Sequence, residues 1–201
     1  MVAGPSEIMI VADAHAEPDF IAADMLSQAE HGSGLEQAVL VTDSSELPEK
    51  VIAAIRAQTE KLSRHETVER VLSKGVFLIV SKDMTEALRI AGRYAPEHLE
   101  LMFEGAEKRA VEVKAAGAIF LGPWTPEPVG DFTAGPSHVL PTAGTARFFH
   151  GLSAADFMRR SSIVNYSREA LLREAGAIEK FAEMEGLDAH GKSATVRKKG
   201  F

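Results

Sequence analysis

Several residues of this 201-residue chain have types and spacings that suit chemistry. Gln28 and His31 lie three apart in a stretch of helical spacing, so both side chains point to nearly one spot. That resembles the paired-ligand logic of zinc-binding helices, with an amide in place of one imidazole. The HExxH signature is absent, and a histidine settled against a helix-end dipole is the plain alternative. Glu97 and His98 follow Tyr94-Ala95-Pro96. Pro96 disfavours helix at Ala95, which places the acid–imidazole pair on a turn at a strand mouth, where both side chains can face a ligand. A carboxylate beside an imidazole suits general acid–base work, and a charged surface pair is the alternative. Asp131 follows Gly130 and opens the stretch Phe132-Thr133-Ala134-Gly135-Pro136-Ser137-His138. It is either an Asx-turn residue or a hard oxygen donor to a metal. His138 is expected to support that loop through ring hydrogen bonds, outside any metal's direct ligands. Glu185 and His190 flank Gly186 at the end of a long helical stretch, where solvated charges are ordinary. His15, His65 and His150 show no partner pattern.

The elements that must position these residues follow from periodicity. Glu7–Ala12, Ala38–Thr42, Val76–Val80, Leu99–Phe103 and Ala118–Leu121 are short apolar runs that read as buried strands. Between them, helices are expected from Pro18 to His31, over Leu47–Ser63, from an Asp83 cap through Ala91, and over Ala106–Ala115. His65 lies in the charged stretch Lys61–Arg70, read as a solvated helical face. Alternation of strand and helix predicts a parallel, helix-covered sheet. From Gly122 to Thr145 the pattern breaks into a proline- and glycine-rich segment, expected to be irregular and functional. A short helix near Ser153–Arg159, a strand-like Ser161–Tyr166, a helix Arg168–Glu185 capped by Ser167, and a frayed basic tail of Arg197, Lys198 and Lys199 complete the chain. The fold class is thus α/β: an incomplete Rossmann-like, mostly parallel sheet with helices on both faces, plus a mainly helical C-terminal segment. The expected domains are 1–145, the α/β part, and 146–201, the helical part.

Composition narrows the function classes. Lys and Arg number 22 against 29 Asp and Glu, a net charge of −7 that argues against nucleic-acid or anionic-membrane partners. No apolar run approaches the roughly 18–20 residues that span a bilayer. The N-terminus lacks the basic and apolar regions of a signal peptide. Cysteine is absent, which excludes disulfides and thiolate zinc sites and fits a reducing, cytoplasmic compartment. Gly32-Ser33-Gly34 is followed by Gln37 where a dinucleotide fingerprint needs its third glycine, and there is no P-loop and no GxSxG. A zinc hydrolase with Glu97 as base remains the weaker reading of the same residues.

Five blocks occur in order: Ala3-Gly4-Pro5-Ser6-Glu7, Leu26-Ser27-Gln28-Ala29-Glu30-His31-Gly32, Tyr94-Ala95-Pro96-Glu97-His98-Leu99, Val129-Gly130-Asp131 leading to Ser137-His138-Val139-Leu140-Pro141-Thr142, and Glu185 leading to Ala189-His190. Together they resemble the histidinol dehydrogenase family, and they cover the C-terminal half of its pattern. The resemblance implies a zinc-dependent enzyme of histidine biosynthesis that oxidises L-histidinol to L-histidine through histidinal with two NAD in succession. It implies zinc ligands Gln28, His31 and Asp131 from one subunit and His190 from the partner subunit of a homodimer with a shared metal site. Gln28, His31, Ser6, His98, Asp131, Glu185 and His190 would face the substrate. His98 would take the alcohol proton, and Glu97 would activate the water that attacks the aldehyde. No cofactor-binding residue for NAD is identified in this chain, because the family's NAD contacts lie in the unmatched half. The alternative implied by that partial match is a zinc- and imidazole-ligand-binding homodimeric module without redox activity.

Overall fold

Successive residues of a strand point to opposite sides of the sheet, and the central strands are covered on both sides, so most of both sets there are apolar. In the strand Glu7–Ala12 (β1), Ile8, Ile10 and Ala12 enter one core and Met9 and Val11 the other. The computed structural model describes residues 3–198 and divides the chain into two compact units, Met1–Phe157 and Met158–Phe201.

The first unit holds a five-stranded sheet of β1, β2 (Gln37–Thr42), β3 (Val76–Val80), β4 (His98–Met102) and β5 (Ala118–Leu121). Every pairing is parallel, and the order is β3-β2-β1-β4-β5. This is a Rossmann-like α/β sheet, as the alternation predicted. Helices α1 (Pro18–Ala29), α2 (Leu47–Thr59) and α3 (His65–Leu72) cover one face through Ile21, Met25, Val51, Ile55 and Val68. Helix α4 (Met84–Tyr94) and the short α5 (Ala106–Arg109) cover the other through Ala87, Leu88, Ala91 and Ala106. Burial of each large aliphatic side chain contributes about 1.5–3 kcal/mol, so these two layers supply the unit's cohesion.

Several boundaries differ from expectation for local reasons. The first helix ends at Ala29 rather than His31, with Gly32 (φ 98°) carrying the turn. The helix expected over Leu47–Ser63 stops at Thr59, whose buried hydroxyl donates to the Ile55 carbonyl, and α3 begins separately at His65. The helix expected over Ala106–Ala115 is one turn of α5 followed by a 3-10 turn, Ala110–Glu112. The segment Gly122–Thr145 is not wholly irregular. Helix α6 (Glu127–Phe132) starts on Pro126 and Pro128, at positions where a missing N–H costs nothing. Ser161–Tyr166 forms no strand: Ile163 is 95% exposed, and no neighbouring strand pairs its backbone.

In the second unit, α7 (Arg168–Glu185) has the expected bounds. Ser167 Oγ accepts the Ala170 N–H at 3.1 Å, and Gly186 (φ 69°) ends the helix. A further helix, α8 (Asp188–Thr195), lies between α7 and the basic tail, in a stretch for which the periodicity predicts no separate element. Ala175, Ala182 and Ala194 are buried there. Lys198 is tied to Glu179 at 2.9 Å rather than frayed, and Lys199 lies outside the described residues. No helix among the described residues is long and apolar enough to cross a membrane.

Candidate functional site

The amino end of β4 is built by a chain reversal. Helix α4 closes at Tyr94, and Ala95 takes a left-handed conformation (φ 57°) whose N–H reaches the Ala91 carbonyl. Pro96 then forces an extended exit. Gly117 donates to the Pro96 carbonyl at 2.9 Å, and a Cβ there would stand 2.5 Å from the Glu97 carbonyl oxygen, so only glycine fits. Glu97 and His98 therefore leave on a rigid support. They are not an exposed turn pair: Glu97 is 6% exposed, and His98, the first residue of β4, is 3% exposed.

Their partners come from β1. Glu97 Oε2 accepts the Glu7 N–H at 2.9 Å. His98 Nδ1 lies 3.1 Å from the Glu7 carbonyl oxygen, which can only accept, so Nδ1 carries the proton and Nε2 presents a lone pair. Burial lowers the His98 pKa and keeps the ring neutral. Nε2 is buried without a hydrogen-bond partner. It faces Glu127 Oε1 at 3.6 Å and Asp131 Oδ1 at 3.8 Å. Those two acids are four apart on α6 and so share a face. The three side chains can bring one ligand atom each within 4.8 Å of one another. Burial, reinforced by Asp131, pushes Glu127 up to about 8. Burial pushes Glu97 up to about 7.

Gln28 is fully buried on α1 beside Glu127, and neither of its amide atoms reaches a partner in hydrogen-bond geometry. His31 stands just past the helix end, exposed, and lines a hollow of about 320 Å³ with Ser27, Arg64, Glu127 and Asp131. Gln28 and His31 thus reach one region from a helix and the turn after it. Buried polar atoms left unpaired are costly, at about 1–3 kcal/mol each, and such a concentration marks a place prepared for a ligand. An amide, imidazoles and carboxylates form a nitrogen and oxygen donor set suited to zinc or manganese.

A family model described as histidinol dehydrogenase matches residues 1–198. The chain belongs to the histidinol dehydrogenase family. It is 48% identical over 199 residues to the histidinol dehydrogenase of Bacillus subtilis, covering 99% of this chain and 46% of that protein. It is 46% identical over 197 residues to that of Carboxydothermus hydrogenoformans, covering 98% and 46%. The crystal structure of histidinol dehydrogenase from Elizabethkingia anophelis superposes with a TM-score of 0.90 at 35% identity, over 99% of this chain and 46% of that one. The chain therefore spans about half the length of the relatives it matches.

Within this member of the histidinol dehydrogenase family, the remaining candidates are placed as follows. Ser6 precedes β1, half-buried, with its carbonyl accepting the Gln37 N–H at 3.1 Å. Asp131 lies inside α6, on a helix face rather than in an Asx-turn. His138 is exposed, and among the described residues its ring makes no hydrogen bond. Glu185 ends α7 and His190 sits on α8; both line a hollow of about 420 Å³ in the second unit, with Ile178 and Phe181. Sequence reading missed Glu127, which touches both His98 and the Gln28 amide. Its signal was the four-residue spacing to Asp131 after a proline helix start.

Proposed function

We propose that this chain is the zinc- and substrate-holding part of a cytoplasmic histidinol dehydrogenase. The proposed reaction oxidises L-histidinol to L-histidine through histidinal, with two hydrides passing to two NAD in turn. One observation carries the reading. In a member of this family, a buried amide (Gln28) and a buried imidazole nitrogen (His98 Nε2), both unpartnered, converge with Asp131 on one site. Gln28, His31 and Asp131 would hold the zinc, with the partner subunit's His190 completing the set across a homodimer. Bound zinc would supply a charged template for the substrate's amine and imidazole. Ser6, Glu185 and His190 would complete the substrate contacts.

The proton work falls to the chain's own residues. The Glu7 carbonyl holds the proton on His98 Nδ1, so Nε2 is free to accept the alcohol proton as hydride leaves. Burial keeps that ring neutral and competent as a base. Glu97, raised to about 7, is tuned to take a proton from the water that attacks the aldehyde. Two adjacent side chains thereby serve two different proton transfers.

The test is metal content together with NADH formation on adding histidinol and NAD. One zinc per protomer and tight histidinol binding are expected, and a chain that takes up no zinc overturns the reading. A second reading is a zinc- and imidazole-ligand-binding module without redox activity, which the unpartnered Gln28 amide and His98 Nε2 would serve equally. Histidinol binding with no NADH formed would select it.

A further inference from the structure

Glu100 lies in the middle of β4, 1% exposed, between Leu99 and Leu101, which turn into the opposite core. A strand of a parallel sheet covered on both faces is ordinarily apolar throughout, so a carboxyl here needs a reason. Its Oε1 accepts the N–H of Glu127 at 2.8 Å. Glu127 is the first residue of α6, and Pro126 supplies no side-chain cap. Glu100 therefore caps that helix from another element, satisfying one of its orphan donors. Its carboxyl also meets the carboxyl of Asp24, which sits on α1 one turn before Gln28. Glu100 Oε2 is buried with no hydrogen-bond partner, and burial with Asp24 alongside holds the Glu100 carboxyl well above the usual range.

Three elements meet at this one side chain: α1 carrying Gln28, β4 carrying His98, and α6 carrying Glu127 and Asp131. We propose that Glu100 is a positioning residue, which sets the spacing of these elements so that the metal donors stand prearranged. Helix α6 has six residues and is too short to hold itself, so the position of Asp131 depends on that cap. The inference rests on the metal reading above.

The test compares the 201-residue chain with its Glu100→Gln and Glu100→Leu variants. Zinc affinity is measured by competition calorimetry, the Co(II) absorption spectrum reports donor geometry, and melting in chelator reports the fold. Glu100→Gln keeps the acceptor for the Glu127 N–H and turns an uncharged amide toward Asp24, and should bind zinc within about 3-fold of the parent chain, since the cap on α6 persists. Glu100→Leu should lose about 10- to 100-fold in zinc affinity and change the cobalt spectrum, while its chelated form still melts cooperatively. Asp24→Leu, which severs only the link to α1, keeps the idea testable should Glu100→Leu not fold, and its affinity should also fall. Parent-like zinc affinity in Glu100→Leu or Asp24→Leu, or an equal loss in Glu100→Gln, overturns the inference alone. A parent chain that binds no zinc removes the metal reading, and this inference with it.

Discussion

Asp13 and Glu97 each stand one residue off a strand of the same sheet, at opposite ends of it. Asp13 follows β1 and has both oxygens answered: Oδ1 accepts the His15 N–H and Oδ2 the Glu104 N–H, each at 2.9 Å. Asp83, after β3, accepts the Glu86 N–H at 2.8 Å and caps α4. The acids at the carboxyl end are thus absorbed in holding turns. Around Glu97 the balance is different. Glu7 Oε2, His98 Nε2 and both Gln28 amide atoms are buried without hydrogen-bond partners, and the carboxyls of Glu127, Asp131, Glu100 and Asp24 crowd in. Doubly wound sheets commonly receive ligands at the carboxyl end. Here the unanswered groups collect at the amino end, because α6 brings Glu127 and Asp131 back beside the start of β4.

The largest effect that would separate the two ends is on metal binding. Asp131→Ala should lower zinc affinity by about 100-fold or more, since a direct carboxylate donor is lost. Asp13→Ala should leave zinc affinity unchanged and cost only stability. Equal losses of zinc affinity, read by calorimetry, would erase the distinction.

The next effect is on pH dependence. Burial raises Glu127 to about 8, Glu97 to about 7 and Asp24 to about 6. An acid whose pKa is higher in the folded state contributes stability that is complete below the ordinary carboxylate range. That stability is lost as pH rises through the folded value. The chelated chain should therefore lose denaturation midpoint between about pH 5 and about pH 8, and zinc should reverse the loss. A midpoint that is flat or rising across that window in chelator would mean the crowded carboxyls are not strained.

The smallest effect tests the answered end alone. Asp83→Ala should cost about 1 kcal/mol of unfolding free energy, the ordinary value of an N-cap, with zinc affinity unmoved. A fall in zinc affinity would show that the carboxyl end supports the site after all.

Much of this was legible in the chain. The runs Glu7–Ala12, Val76–Val80 and Ala118–Leu121 became strands with those bounds, and Ser167 capped Arg168–Glu185. Local signals sufficed there because a run of buried apolar residues, or a cap with its stop glycine, decides its own conformation. They failed where tertiary partners decide. Ile163 and Val164 look like strand residues but have no neighbour to pair with. The prolines before Asp131 look like breakers but sit in a first helical turn. At the site, Gln28, His31, Glu97, His98 and Asp131 stood out by type and spacing. Glu100, Asp24 and Glu127 did not, because what distinguishes them is burial against one another across α1, β4 and α6. A charge at the centre of His98-Leu99-Glu100-Leu101-Met102 was the visible oddity.

Gly117 has a consequence for how such a protein can diverge. Its contact with the Glu97 carbonyl leaves no room for even a methyl group, and it lies outside every motif that suggests chemistry. Variation at the donor residues alters what the site holds, whereas any side chain at Gly117 shifts the strand entry on which Glu97 and His98 both stand. A lineage could therefore lose its chemistry through a loop position that touches neither metal nor substrate.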